Sequence, residues 1–274
     1  MQLISLAARV CKVFSEAGSN HLRTIQKVKQ DQARDVVTQL DVELHNLSTS
    51  YVTSQLPGCK LLSEEGGDEG IGINDVLRGK WLVVDPLDGS NNYALKLPGY
   101  GYMASYIDGG LIKSACVVLP EHDQYIVVEG KNILTSKPIL RAEGENNAPI
   151  YYAYPPKQDT NQFAARIELQ KLIDSHSSGM YRSGSACIGL YNLIECKHIA
   201  FIGHSIRIWD ALAFLPILRL NNIKVHYYLH GLSITLVASH NHEILKRSVD
   251  IFQDTQGITL QEYEIFDSLK VGEQ

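Results

Sequence analysis

Residues 81–90 read Trp-Leu-Val-Val-Asp-Pro-Leu-Asp-Gly-Ser. The four apolar residues Trp81 to Val84 predict a buried strand. The strand meets Asp85-Pro86, where a proline without an N–H is expected to end the ladder. Two carboxylates, Asp85 and Asp88, then stand close together beside Gly89-Ser90. Like charges at short range repel, and a cation is the usual remedy. Carboxylate oxygens suit a hard ion such as Mg²⁺. A helix opening at Gly89-Ser90 would offer backbone N–H groups to an anion. A cation site beside an anion site points to phosphate chemistry. The same residues also fit a plainer reading, a capped turn with two solvated acids.

The chain has 274 residues, 45% hydrophobic and 20% charged, which is ordinary globular composition and room for one large domain or two small ones. A net charge of −5 argues against a nucleic-acid partner. An acidic chain that handles an anionic substrate needs local positive charge, which a metal can supply. The five cysteines, Cys11, Cys59, Cys116, Cys187 and Cys196, form no Cys-x-x-Cys pair and are odd in number. Reduced thiols in a cytoplasmic protein are the simplest reading. The N-terminal residues do not make a signal peptide, and no apolar run is long enough for a membrane span.

Residues 2–17 predict an amphipathic helix with Leu3, Leu6, Ala7, Val10 and Phe14 on one face, closed by Gly18-Ser19-Asn20. The basic segment 21–34 is expected to be a loop. Thr38 or Asp41 would cap a second helix over 41–55. Cys59–Ser63 predicts a short strand that runs into Glu64-Glu65-Gly66-Gly67, and residues 66–80 predict an exposed loop. Strands are expected at 100–107, 111–119 and 124–128, an antiparallel meander. A polar stretch at 135–149 divides the chain into an N-terminal α+β subdomain, 1–140, and a C-terminal α/β subdomain, 141–274. In the second half, strands at 150–154, 180–183, 199–202, 225–229 and 233–238 alternate with helices at 160–175, 185–196 and 242–252. A further apolar helix is expected to start at Asp210 and to kink at Pro216, and the tail is expected to fray. The whole is a mixed α/β chain with layered packing.

Glu64-Glu65, the pair Asp85/Asp88, and Asp210 each stand at the end of an apolar element. Asp210 alone reads as an N-cap, and Glu64-Glu65 alone as a solvated loop. Together, these carboxylates would suffice for a site of two or more divalent ions acting on a phosphoryl group.

Five motifs fall in one order. Trp81 to Ser90, continued by Asn91-Asn92-Tyr93, resembles the first signature of the inositol monophosphatase family, and Trp209-Asp210-Ala-Leu-Ala resembles the second. Leu62-Ser63-Glu64-Glu65, Asp35-Val-Val-Thr38-Gln-Leu-Asp41 and Arg182-Ser-Gly184-Ser185-Ala186 resemble its upstream metal motif, its Asp-x-Val-Thr-x-x-Asp and its substrate loop. The resemblance implies a layered α-β-α-β-α sandwich and a Mg²⁺-dependent, lithium-sensitive phosphatase, often homodimeric. It implies a first Mg²⁺ on Glu64, Asp85 and the Leu87 carbonyl, a second on Asp85, Asp88 and Asp210, and a third, looser one near Glu64. Asp41 and Ser90 would join Glu64 in orienting the attacking water. Leu87, Asp88, Gly89 and Ser90 would face the phosphate, the last two through their amides. Gly184, Ser185, Ala186 and Asp210 would contact the alcohol.

Haloacid dehalogenase phosphatases share an Asp-x-Asp-Gly-Thr/Ser motif, but the position of their nucleophilic Asp is Pro86 here. Departures from the family concern the substrate. A Lys aligns with Gln30, beside Lys29. A substrate-contacting Glu, seven residues before Asp210, is Gly203, next to His204. Glu-Ala-Gly-Gly is Arg219-Leu-Asn-Asn222. A small phosphorylated polyol or sugar is the expected substrate. Rivals are a 3′(2′),5′-bisphosphate nucleotidase, a fructose-1,6-bisphosphatase, and a non-catalytic metal-binding member that acts through a partner. The histidines His204, His226, His230, His240 and His242 match no zinc spacing. Tyr151, Tyr152, Tyr154, Tyr227 and Tyr228 read as strand aromatics, and Cys187 as a buried small hydrophobe.

Overall fold

Two six-stranded sheets carry the fold, in a computed structural model that describes residues 3–17, 23–28, 36–142, 148–155, 159–265 and 267–272. The turn expected at Gly18–Asn20 and the positions Lys29, Gln30, Arg34 and Asp35 lie outside the described residues. The N-terminal part supplies α1 (Ile4–Glu16), a hairpin of β1 (Ile25–Val28) and β2 (Val36–Thr38), and α2 (Gln39–Gln55). The first sheet contains β3 (Lys60–Ser63), β4 (Lys80–Asp88), β5 (Gly101–Asp108), β6 (Leu111–Leu119), β7 (Gln124–Glu129) and β8 (Asn132–Thr135), side by side in chain order. Only β3 and β4 are parallel in it. Short helices α3 (Ile73–Arg78) and α4 (Ser90–Ala94) flank β4.

The second half supplies β9 (Ile150–Ala153), α5 (Thr160–His176), β10 (Met180–Tyr181), α6 (Ala186–Ile194), β11 (Ala200–Arg207), α7 (Phe214–Leu220), β12 (Lys224–His230), β13 (Ser233–Ser239), α8 (His242–Gln256) and β14 (Gln261–Glu262). Its sheet has the order β10-β9-β11-β13-β12-β14.

Strand alternation sorts the apolar side chains into three cores. Leu82 and Val84 face α1 and α2, together with Leu6, Val10, Leu40 and Leu44. Trp81 and Val83 face the other way, onto a middle core built from α6, α7 and residues such as Phe201 and Leu236 of the second sheet. Tyr152, Ala200 and Ile202 point from that sheet onto α5 and α8, against Leu169, Leu245 and Phe252. The result is five layers, α-β-α-β-α, as the family resemblance implies.

Several local expectations need correction. Pro86 does not end its strand: β4 continues to Asp88 through a register shift between Asp85 and Asp88. Bulges of this kind absorb a residue that cannot donate to the ladder. Residues 66–80 are not all loop, because Ile73 and Val76 are buried on one turn of α3, whose N-terminus Asp75 caps by accepting the Gly72 N–H at 2.9 Å. No helix starts at Asp210. Ile208–Asp210 form a single 3₁₀ turn, and α7 begins at Phe214, so Pro216 sits in the first helical turn, where no N–H is missed and no kink is needed. The tail pairs through β14 and buries Leu260, Tyr263 and Leu269. Among the described residues, no helix is long and apolar enough to cross a membrane.

Candidate metal centre

The bulge at Pro86 sets up the centre. Asp85 shares strand phase with Trp81 and Val83 and so faces the middle layer. Strict alternation would turn Asp88 the opposite way, onto α1 and α2. The register shift instead sends Leu87 into that outer core, 1% exposed, and leaves Asp88 facing the middle layer with Asp85. There Asp88 Oδ2 accepts the Ser185 hydroxyl at 2.5 Å and the Cys187 N–H at 2.6 Å. Ser185 caps α6 and also accepts from the Ile188 N–H.

Parallel pairing brings in the next acid. Ser63 of β3 lies opposite Val84, so Glu64, one residue on, stands beside Asp85. The Ser63 hydroxyl is 3.0 Å from His45 Nδ1 of α2, which ties the start of the Glu64 turn to that helix. Asp210 arrives from the middle layer, its Oδ2 accepting the Arg207 N–H at 3.1 Å. Oxygens of Glu64, Asp85 and Asp210 lie within 4.8 Å of one another.

Asp41 closes the group from the outer side. Its Oδ2 accepts the Thr38 N–H at 2.8 Å and the Thr38 hydroxyl at 2.5 Å. Its Oδ1 lies 2.6 Å from Ser90 Oγ, which also lies 2.7 Å from the Leu87 carbonyl. Ser90 has one proton for these two acceptors. Gly89 takes the left-handed conformation that lets the chain turn from β4 into α4, with φ +89°. The structure thus brings Glu64, Asp85 and Asp210 together, with the charges of Asp88 and Asp41 acting on Asp85 and with Ser90 joining Asp41 to the Leu87 carbonyl. Gly184, Ser185 and Ala186 line the adjoining cleft of about 500 Å³.

The charges are costly as they stand. Asp85 is 1% exposed, and burial, then Glu64, Asp88, Asp210 and Asp41, push its pKa well up. Burial, then Glu64 and Asp88, raise Asp210 in the same way. Burial pushes Asp88 up to about 6, against the opposing hydrogen bonds from Ser185 and Cys187. Burial likewise raises Asp41, opposed by Ser90 and Thr38. An all-oxygen set of crowded carboxylates fits a hard divalent cation.

A pH-dependent stability follows. Unfolded Asp carboxyls release their protons near about pH 4. Folded and metal-free, these groups hold their protons to higher pH, so over that interval the folded chain binds more protons and stability falls as pH rises. A divalent ion at a concentration about 100 times its Kd at about pH 7.5 should raise the Tm of stripped protein by roughly 5–10 °C there, and the same concentration by clearly less at about pH 5.5, where protonation weakens binding. Differential scanning calorimetry checks this; an equal gain at both pH values would contradict it.

Some contacts had no sequence signal. Tyr151 donates its hydroxyl to the Ser185 carbonyl at 2.7 Å, and Asn92 ties α4 to the loop before α6 through the Ser183 carbonyl at 2.9 Å. Arg207 pairs with Asp68 at the cleft. The altered positions differ in placement. Gly203 and His204 are buried, with His204 bonded to Tyr152 and Gln256. The segment 219–222 ends α7, where Arg219 pairs with Glu264 at 2.5 Å, and it is not among the residues lining the cleft.

The fold is a layered α/β sandwich around an acidic centre, and comparison with known proteins gives its family. The sequence profile of the inositol monophosphatase family matches residues 2–221, and the chain belongs to that family. It is 25% identical to the Nus factor SuhB of Xylella fastidiosa over 203 residues, which span 72% of this chain and 70% of that protein. It is 22% identical to human inositol monophosphatase 2 over 225 residues, 79% of this chain and 75% of that protein. The solved structure of an IMPase/NADP phosphatase complexed with Mg²⁺ and phosphate shares the fold, with a TM-score of 0.70, 17% identity, and coverage of 96% of this chain and 97% of that one.

Proposed function

We propose that this protein is a Mg²⁺-dependent phosphomonoesterase acting on a small phosphorylated polyol or sugar. The observation that carries the reading is the convergence of Glu64, Asp85 and Asp210, with oxygens within 4.8 Å, beside a cleft that Glu64 and Asp210 line. Relatives named as inositol monophosphatases, and a structure of the same fold holding Mg²⁺ and phosphate, support it. Glu64, Asp85, Asp88, Asp210 and the Leu87 carbonyl would hold the metal. When bound, Mg²⁺ neutralises phosphoryl charge and stabilises the departing oxygen.

The chain's own groups orient the reactants. Ser90 Oγ, giving its proton to Asp41, presents its lone pairs to a water and fixes that water's direction of approach. Asp41 in turn is fixed by Thr38. The turn at Gly89-Ser90 faces the phosphate, and Gly184, Ser185 and Ala186 face the alcohol. Pro86 stands where an aspartyl nucleophile would be needed, which favours attack by water. Asp41→Asn should lower kcat about 10²-fold or more while Mg²⁺ affinity changes little. A larger effect on Mg²⁺ affinity than on kcat would reassign Asp41 to the metal.

Homodimerisation and a cytoplasmic setting belong to the same reading. Phe163 and Ile167 on α5, with Met180 and Tyr181 on the edge strand β10, are large apolar residues left exposed, and a second copy would cover them. All five cysteines are free thiols, as a reducing compartment favours. The test is phosphate release from a panel of sugar, polyol and nucleotide phosphates with Mg²⁺. Turnover of sugar or polyol phosphates is expected. Preference for nucleotide bisphosphates would overturn the substrate class, and release from none of them would favour a partner-binding role like that implied by the name of the Xylella relative.

A further inference from the structure

The cleft is lined by two kinds of charge. Glu64, Asp68, Asp88 and Asp210 supply carboxylates, and Arg182 and Arg207 supply guanidinium groups, with Tyr154 beside them. The Arg182 guanidinium lies 4.0 Å from the centre of the Tyr154 ring, and its Nη2 donates to the Tyr154 carbonyl at 2.8 Å. Arg166 of α5 lies over the same ring at 4.2 Å. Among the described residues, no carboxylate forms an ion pair with Arg166 or Arg182. Arg207 stacks on Trp209 at 4.4 Å and pairs with Asp68, but the two side chains are 41% and 38% exposed. An ion pair that open to water is weak and readily exchanged.

Positive groups held over aromatic rings beside an acidic centre need an explanation. A guanidinium stacked on a ring has a fixed plane, and its remaining N–H groups suit two oxygens of one anion. The positions next to Arg207 on β11 offer no acid to a neutral polyol. A side chain at Gly203 would meet Ile206 at 2.8 Å, and His204 is fully buried against Tyr152 and Gln256. Ser205 is the next residue to reach the cleft. The arginines are also placed in register with the acids. Arg182 precedes Ser185, which holds Asp88, and Arg207 gives its own N–H to Asp210. A ligand with its phosphoryl group at the carboxylates therefore shares its cleft with the guanidinium groups.

We propose that the cleft is built for a phosphomonoester carrying a second anionic group, phosphate or carboxylate, and that Arg182, backed by Arg166 and joined by Arg207, binds that group. The proposal rests on the hydrolase reading for its kinetic test, and a binding test keeps the two separable. With Mg²⁺, kcat/KM is compared within two matched pairs, fructose 1-phosphate against fructose 1,6-bisphosphate and glycerol 2-phosphate against 2-phosphoglycerate. The doubly anionic member of at least one pair should be favoured by about tenfold or more, and the favoured pair identifies phosphate or carboxylate. Arg182→Gln should erase most of that ratio, and Arg182→Lys should restore part of it. A wild-type ratio near one in both pairs, or a ratio unchanged by both Arg182→Gln and Arg207→Gln, overturns the proposal. If no phosphate is released from any of the four, the hydrolase reading falls and calorimetric titration of the same compounds with Ca²⁺ decides the subsite. Tighter binding of a doubly anionic compound that Arg182→Gln abolishes supports the subsite, and equal binding overturns it.

Discussion

Replacing Asp88 by asparagine should lower kcat by about 10³-fold while the fold stays intact. The amide oxygen can still accept the Ser185 hydroxyl and the Cys187 N–H that hold Oδ2 in place, so the tie between β4 and α6 survives. The other oxygen becomes an NH₂ donor that faces the crowd of carboxylates. That substitution removes one negative charge and presents the wrong polarity to a cation. The effect on stability should have the opposite sign. Asp88 adds to the repulsion felt by Asp85 and Asp210, so its loss should raise the Tm of metal-stripped protein. Phosphate-release assays and thermal melts in EDTA read the two effects. A variant with near-normal kcat would contradict the assignment of Asp88 to the metal.

Gly89→Ala should cost about 2–4 kcal/mol of stability, roughly 5–15 °C in Tm, and most of the activity with it. The residue sits at φ +89°, and a Cβ there would stand 2.5 Å from the Gly99 carbonyl and 3.2 Å from Ser185 Cβ. Backbone and cap residue cannot both move aside without carrying Ser90 away from Asp41. Gly70→Ala is the control. Gly70 also has positive φ, at +76°, but its Cβ would meet nothing within 4 Å. That change should cost about 1 kcal/mol, the conformational part alone. Equal losses in the two variants would show that the close approach at Gly89 does not matter.

Periodic elements were legible in the chain because their burial pattern is local. The apolar face of α1 and the apolar runs of β5 to β7, bounded by polar turns, need no knowledge of what they pack against. The corrections arise where tertiary demand wins. A proline in the middle of β4 reads as a terminator, yet the bulge around it is what turns both Asp85 and Asp88 to one layer. The α3 turn buries only Ile73 and Val76, too little for a periodic signal. The break at 211–213 follows from seating Asp210 beside Glu64, a constraint that no local window contains.

At the site, the acids were readable because each ends an apolar run and all fall in family order. Their hydrogen-bonded support was only partly so. Thr38 capping Asp41 is visible as a motif, whereas the reach of Tyr151 to Ser185 and of Asn92 to Ser183 depends on packing between the sheets. The cationic groups had no signature, since Arg166, Arg182 and Arg207 become neighbours of one space only after α5, β10 and β11 are assembled. The resemblance thus bore on the acidic residues and left the arginines to tertiary packing.

The most direct measurement is the Mg²⁺ dependence of phosphate release from a sugar phosphate by metal-stripped wild-type protein. No release in EDTA, a saturable rise with added Mg²⁺, and loss of that rise in Asp88→Asn are the predicted results. Release that proceeds unchanged in EDTA, or a Mg²⁺ response untouched by Asp88→Asn, would contradict a metal centre built on Glu64, Asp85, Asp88 and Asp210.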